Sequence, residues 1–343
     1  MKLLPKVVVV CLFCVASLLI AIGVGTVAIS PIDTLRILLH KLFAASLPEN
    51  IANTTVSILW TIRLPRVLCA FCVGAMLSVS GAVMQSVLRN PLASSYTMGV
   101  SSGASLGAAV ILLTGYTLPV IGSFTLPLVG LLSAIVAMIG AVFIASRIDP
   151  HMQTHTIILA GIVFSLFVDA VLTMLYAFAK QELQKLILWQ MGSFARKSFA
   201  QAGLLFPVGF AGVFILMLFA KEMDILTFGE EDASAIGLDT KRVKWILLSL
   251  AATLTGSAVA FSGVIGFIDL IAPHAVRRLF GAKHSLLIPV SALVGGGFMA
   301  LCDTAARTVV SPVELPVGAV TALIGAPFFA YIYFFRKREK ESS

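Results

Sequence analysis

Residues 61–81 read TIRLPRVLCAFCVGAMLSVSG, and the apolar run that follows Arg66 continues without a charge as far as Arg89. A helix needs roughly 20 such residues to cross a hydrocarbon core of about 30 Å. Comparable runs recur along the chain. Read against turn residues and charges, they give ten candidate spans: 7–29, 67–88, 98–115, 126–144, 157–178, 202–220, 245–261, 264–276, 286–305 and 317–335. The eighth is short and contains Pro273. Only 12% of residues are charged, 59% are apolar and the mean hydropathy is +1.03; a soluble domain carries about a quarter charged residues. The expected fold is an all-α polytopic membrane protein of about ten transmembrane helices, one domain over residues 1–343 with its longest polar loop at about 221–244. The net charge of +8 therefore bears on topology and does not point to nucleic acid. The first apolar run is too long for a secretory signal core, so it reads as a retained span.

Orientation follows from the basic residues. With both termini in the cytoplasm, fifteen of the 24 Lys and Arg lie inside, among them Lys2, Arg89, Arg147, Lys241 and Arg277, and nine outside, among them Lys180. The positive-inside rule prefers this arrangement to its inverse. It places Arg63 and Arg66 outside, where insertion does not need them. Two readings are open: anchoring to lipid headgroups, or an electropositive docking point for an acidic extracytoplasmic partner.

On the opposite side, KEMDILTFGEEDASAIGLDTKRVK (221–244) carries three acids, Glu230, Glu231 and Asp232, at the start of a short helical segment. Acids favour a helix N-terminus, and Gly237 suits the residue just past its end. Leu226, Ala233 and Ile236 supply an apolar side. A rigid capped helix of this kind makes a handle for another protein, against the alternative of a solvated loop.

Other features carry less. Gly99, Gly103 and Gly107 are spaced for close helix packing. Cys11/Cys14 and Cys69/Cys72 have CxxC spacing but lie in apolar runs, where they read as small core residues. Asp169, Asp269 and Asp303 are acids in or near spans, each costly if unpaired; Asp303 and Arg307 are spaced i, i+4 for an ion pair. The segments from Ser80 and Ser262 share Ser, Gly, Leu, Pro and Ala at matching positions, which suits an inverted repeat. The sequence contains no Walker A loop and no HExxH, and with the CxxC pairs read as core no metal site is expected.

RLPR at 63–66, GAVMQSVLRNPLASSYTMGVSSGASLGA from Gly81, LWQMGS from Leu188, GEEDASAIGLDTKRV from Gly229, GVIGFIDLIAPHAVRRL from Gly263 and ELPVGAVTALIGAPFF from Glu314 occur in that order. In this the chain resembles the FecCD family, the permeases of ABC importers for ferric siderophores, haem and cobalamin. The resemblance implies a cobalamin-permease-like (type II ABC importer) fold with no catalytic residues. Its partners would be a second permease subunit, two cytoplasmic ATPase subunits that bind ATP and magnesium, and an extracytoplasmic substrate-binding protein. The membrane would be the bacterial inner membrane. By resemblance, Arg63, Arg66 and Arg307 receive acids of the binding protein, and Phe228, Gly229, Glu230, Glu231, Ala233, Ile236, Gly237 and Leu238 form the ATPase-coupling helix. The pathway would run near Gln85, Asp169, Trp189, Met191 and Asp269. Asp269 stands where the family usually has glycine. The expected cargo is an iron chelate, a ferric siderophore first, with haem or cobalamin as alternatives. From another class, a secondary transporter coupled to protons through Asp169, Asp269 or Asp303 is the rival.

Overall fold

The computed structural model describes residues 3–48, 51–179 and 182–341, the last ten as backbone; Lys2 and Lys180, used in the charge count, lie outside the described residues. Fifteen α-helices follow in order: α1 (Leu3–Gly23), α2 (Pro31–Phe43), α3 (Asn53–Ser57), α4 (Leu64–Val87), α5 (Val100–Thr114), α6 (Thr125–Ile148), α7 (Thr154–Phe178), α8 (Leu183–Gln190), α9 (Phe199–Leu218), α10 (Ala220–Leu226), α11 (Glu230–Ala235), α12 (Thr240–Ser262), α13 (Ile268–Phe280), α14 (His284–Thr308) and α15 (Val317–Glu341).

Among the described residues, seven helical stretches are long and apolar enough to cross a membrane. Two shorter apolar helices, Val100–Thr114 and Val317–Tyr331, occupy the third and tenth predicted spans. The eighth predicted span, 264–276, is displaced. Residues 263–267 are not helical, Phe267 has φ +70°, and α13 runs from Ile268 to Phe280. Its 13 residues rise about 20 Å, too little to cross, so α13 is a half-helix packed against α4. The first span ends earlier than predicted, at Gly23.

α3 and α4 form one rod, Asn53–Val87, joined by a π-helical segment at Ile58–Arg63. Pro65 supplies the reason. It has no N–H for the carbonyl of Thr61, and its ring crowds the preceding turn. The turn widens, so that the Leu64 N–H reaches back five residues to Leu59. The rod is the centre of the molecule: α4 packs against α14, α12, α13 and α9. Lipid tails are as apolar as leucine, so close packing must hold these helices together. The α4–α14 crossing achieves it with glycine on both sides. A Cβ at Gly74 would lie 2.3 Å from the carbonyl oxygen of Gly295, and one at Gly295 only 2.2 Å from Ser78 Oγ. Of the predicted glycine ladder, Gly103 and Gly107 do meet α6, at Ser133. Gly99 instead is the turn before α5, with φ +80°.

Candidate functional site

Contacts gather charged residues into two groups, one at each end of α4. At the first end, Arg63, Arg66 and Arg307 converge, but none is a free surface charge: they are 4%, 7% and 6% exposed. Arg63 Nη1 donates to the carbonyls of Ile22 (3.3 Å) and Gly23 (2.6 Å), and Nη2 donates to Val27. It thus satisfies carbonyls at the C-terminal end of α1, where a cation is favoured. Arg66 is held by two carboxylates. Its Nε donates to both oxygens of Asp303 at 3.0 Å and its Nη2 to one of them at 2.9 Å. On its other side, Nη1 and Nη2 reach the two oxygens of Glu314 at 2.8 and 3.1 Å. The planar guanidinium fork suits this double recognition, which lysine could not supply.

The predicted Asp303–Arg307 pair is present only at 3.9 Å. The carboxylate turns instead to Arg66, and Arg307 donates to the carbonyl of Ala21 and to Thr304 Oγ1. Asp303 is fully buried while the Glu314 side chain is 43% exposed. Glu314 escaped the sequence reading because its partner lies 248 positions away, beyond any local spacing rule.

The second end carries the acidic segment. α11 spans Glu230–Ala235 and closes with a glycine turn: Gly237 (φ +89°) donates to Ser234 at 2.9 Å and Leu238 to Ala233 at 3.0 Å. This is the predicted C-terminal signal in full. The apolar side differs from expectation. Leu226 and Ala233 are buried, but Ile236 points outward at 68% exposure, as does Phe228 at 77%. Glu230 turns inward. Its Oε1 lies 2.6 Å from Lys244 Nζ of α12, accepts from Thr154 Oγ1 of α7 at 3.1 Å, and is 3.7 Å from Arg89 Nη2. Glu231 and Asp232 remain exposed. An open cleft of about 1000 Å³ borders them, lined among others by Arg89, His151, His155, Phe228, Glu231 and Lys241. Opposite α11, Asp149 accepts from the N–H groups of Gln153 (2.7 Å) and His151 (2.9 Å), which hold its carboxyl below the usual range.

The five residues expected near a pathway divide. Gln85 and Asp269 meet in the interior, 4% and 2% exposed. Gln85 Nε2 donates to the Asp269 carbonyl at 3.1 Å, Ser94 Oγ donates to the Asp269 side chain, and Arg277 donates to Gln85 Oε1. Asp269 therefore stands at the N-terminus of α13, away from any surface. Asp169 lies on the exposed side of α7, Met191 is exposed and Trp189 half-buried. The turn after α8 is stitched by backbone to two other helices: Ser193 N–H donates to Ser262 at 2.8 Å, and Val317 N–H to Gly192 at 3.1 Å.

Comparison with known proteins matches residues 12–335 to the model of the FecCD transport family. The chain belongs to the FecCD transport family. It is 40% identical over 297 residues to the "Cobalamin import system permease protein BtuC" of Halobacterium salinarum, covering 87% of this chain and 78% of that protein. It is 38% identical over 286 residues to the "Hemin transport system permease protein HmuU" of Yersinia pestis, covering 82% and 84%. A solved structure described as an inward-facing conformation of a metal-chelate type ABC transporter aligns with a TM-score of 0.81 at 29% identity, covering 96% of this chain and 99% of that one. The FecCD chain described here is thus an all-α, multi-pass ABC transporter permease.

Proposed function

We propose that this FecCD chain is the membrane subunit of an ATP-driven importer that passes a bulky metal chelate, an iron chelate in particular, across the bacterial inner membrane. Relatives named for cobalamin and for haemin support the chelate class. In this reading both termini lie in the cytoplasm, a second permease subunit covers the exposed apolar side of α7, and ATP is bound and hydrolysed by separate subunits.

The observation that carries the reading is the handle at the α10–α11 end. Two large apolar side chains, Phe228 and Ile236, stand in water beside exposed acids on a helix whose backbone is capped and whose Glu230 is tied inward. Exposed aromatic and aliphatic residues on a rigid, charge-rimmed projection form an anchor for a protein partner, and an ATPase pair is the partner that an importer requires.

At the other end, an acidic residue of a substrate-binding protein reaches Arg66 by taking the place of Glu314, the half-exposed carboxylate already seated on it. Arg63 and Arg307, bound to backbone carbonyls, add positive potential that steers the encounter. Charge reversal at Arg66 would also strand buried Asp303, so Glu314→Gln is the cleaner probe of docking.

Extraction from native membranes in mild detergent followed by mass spectrometry tests the proposal. A co-purifying subunit with a Walker A motif, lost on Phe228→Asp, is expected. A preparation with no ATPase at any detergent strength would overturn it.

A further inference from the structure

Two polar clusters that the sequence did not announce flank the handle on opposite sides. The first lies behind α10. Asp224 Oδ1 accepts from the backbone N–H of His284 at 2.9 Å and from its ring Nδ1 at 2.6 Å, and His284 Nε2 lies 2.5 Å from Ser86 Oγ. Asp224 belongs to α10, His284 opens α14 and Ser86 lies in the last turn of α4. The order Ser–His–Asp is that of a hydrolytic triad, yet Ser86 and His284 are 5% and 1% exposed. No substrate reaches Ser86, so the constellation is mechanical. Arg277 of α13 borders it, with Nη2 3.5 Å from Ser86 Oγ.

The second cluster is the one around Glu230, which joins α11 to Lys244 of α12 and Thr154 of α7. Lys244 is 1% exposed and also donates to the carbonyl of Met152 at 2.8 Å, in the turn before α7. Between the two clusters stands Gly229, with φ +136° and ψ +161°, a conformation essentially confined to glycine. It is the joint between α10 and α11.

We infer that α10 and α11 are the two arms of a jointed lever: Asp224–His284–Ser86 pins α10 to α14 and α4, Glu230–Lys244–Thr154 pins α11 to α12 and α7, and the angle at Gly229 sets how far the two helix groups stand apart. The inference rests on the reading of this end as the ATPase-facing handle, and it assigns Asp224, His284, Ser86, Glu230 and Lys244 as positioning residues. Breaking the Glu230 contact strands the buried Lys244 ammonium away from water, and breaking the Asp224 contact leaves the buried His284 ring nitrogen without its acceptor. Two such contacts on opposite sides of one glycine turn a bend into a relative shift of helices.

The test uses the intact complex purified from native membranes and hydrogen–deuterium exchange with and without MgATP plus vanadate. In the unaltered complex, nucleotide should change exchange at both far ends: residues 304–316, the last turn of α14 and the segment after it, and residues 183–197, beyond α7. Asp224→Ala should abolish the response at 304–316 and spare that at 183–197, and Lys244→Met should do the reverse, while the ATPase stays bound. His284→Leu, which removes the ring from Asp224, and Lys244→Gln, which removes the charge from Glu230, cut the same two pins and should show the same dissociation if either first variant fails to assemble. A protein for which the pins matter only to stability would lose both responses together or neither, and that result overturns the lever. An unaltered complex that holds an ATPase but gives no response at either far end also overturns it. Absence of any ATPase from the unaltered preparation instead overturns the reading of the handle.

Discussion

Asp303→Asn is the perturbation for which the structure makes its sharpest quantitative demand. The carboxylate is fully buried and takes three contacts from Arg66 at 2.9–3.0 Å. Asparagine keeps the volume and one acceptor but removes the counter-charge. Breaking a buried pair in this way costs about 3–5 kcal/mol, because the remaining charge stays out of water. That corresponds to roughly a 100- to 5,000-fold shift in the folding equilibrium, at about 1.4 kcal/mol per tenfold. Glu314→Gln addresses the same guanidinium from its exposed side, and with its side chain 43% exposed the expected cost is only about 0–1 kcal/mol. The assay is titration of the micelle-solubilised protein with a denaturing detergent, followed by loss of helical circular dichroism. The double variant Arg66→Met/Asp303→Leu, which removes both charges, should recover most of the loss, since a buried pair replaced by apolar residues is often neutral. Equal costs for Asp303→Asn and Glu314→Gln, or a double variant less stable than Asp303→Asn alone, would refute the network as drawn.

Three further outcomes are expected. Gly295→Ala drives a Cβ to within 2.2 Å of Ser78 Oγ and should cost about 1–3 kcal/mol in the same titration, whereas Gly203→Ala, which meets nothing within 4 Å, should be neutral or slightly stabilising. Phe228→Asp and Ile236→Asp should each reduce ATPase co-purification at least tenfold while leaving the detergent titration within about 0.5 kcal/mol of the unaltered protein, as surface changes generally do. Glu314→Gln should tighten binding of the substrate-binding protein to nanodisc-embedded complex, read by surface plasmon resonance, because the incoming acid no longer competes with a resident one; weaker binding would show that Glu314 is itself a contact.

The sequence carries its spans openly, because a hydrocarbon core imposes length and composition that no local choice can evade. The α11 handle was legible for a similar reason: acids at the start and Gly237 at the end are local signals. What escaped was non-local. Arg63 and Arg66 looked like surface charge because nothing near them in the chain neutralises them; their partners arrive from α1, α14 and the segment before α15. The eighth span was misplaced because apolar composition continued through 264–267, where the backbone leaves the helix and Phe267 adopts positive φ. The amphipathic α2 went unread although Ser30-Pro31 followed by Asp33 is a start signal: Ser30 Oγ accepts from Asp33 N–H at 3.0 Å. The Gly74–Gly295 contact has no counterpart in the predicted glycine ladder, since Gly74 and Gly81 of α4 are seven residues apart and Gly295 opens the run Gly295-Gly296-Gly297 of α14, so neither helix shows the i, i+4 spacing.

The pairing of Arg66 with Asp303 also sets a timetable. The two residues are 237 positions apart, and chains lengthen at about 5–20 residues per second, so Arg66 leaves the ribosome roughly 12–50 s before its counter-charge exists. Through that interval α4 must hold its arginine at the water-facing rim. Only when α14 arrives can the guanidinium take up its buried carboxylate, and a chain truncated before residue 303 would leave Arg66 without that partner.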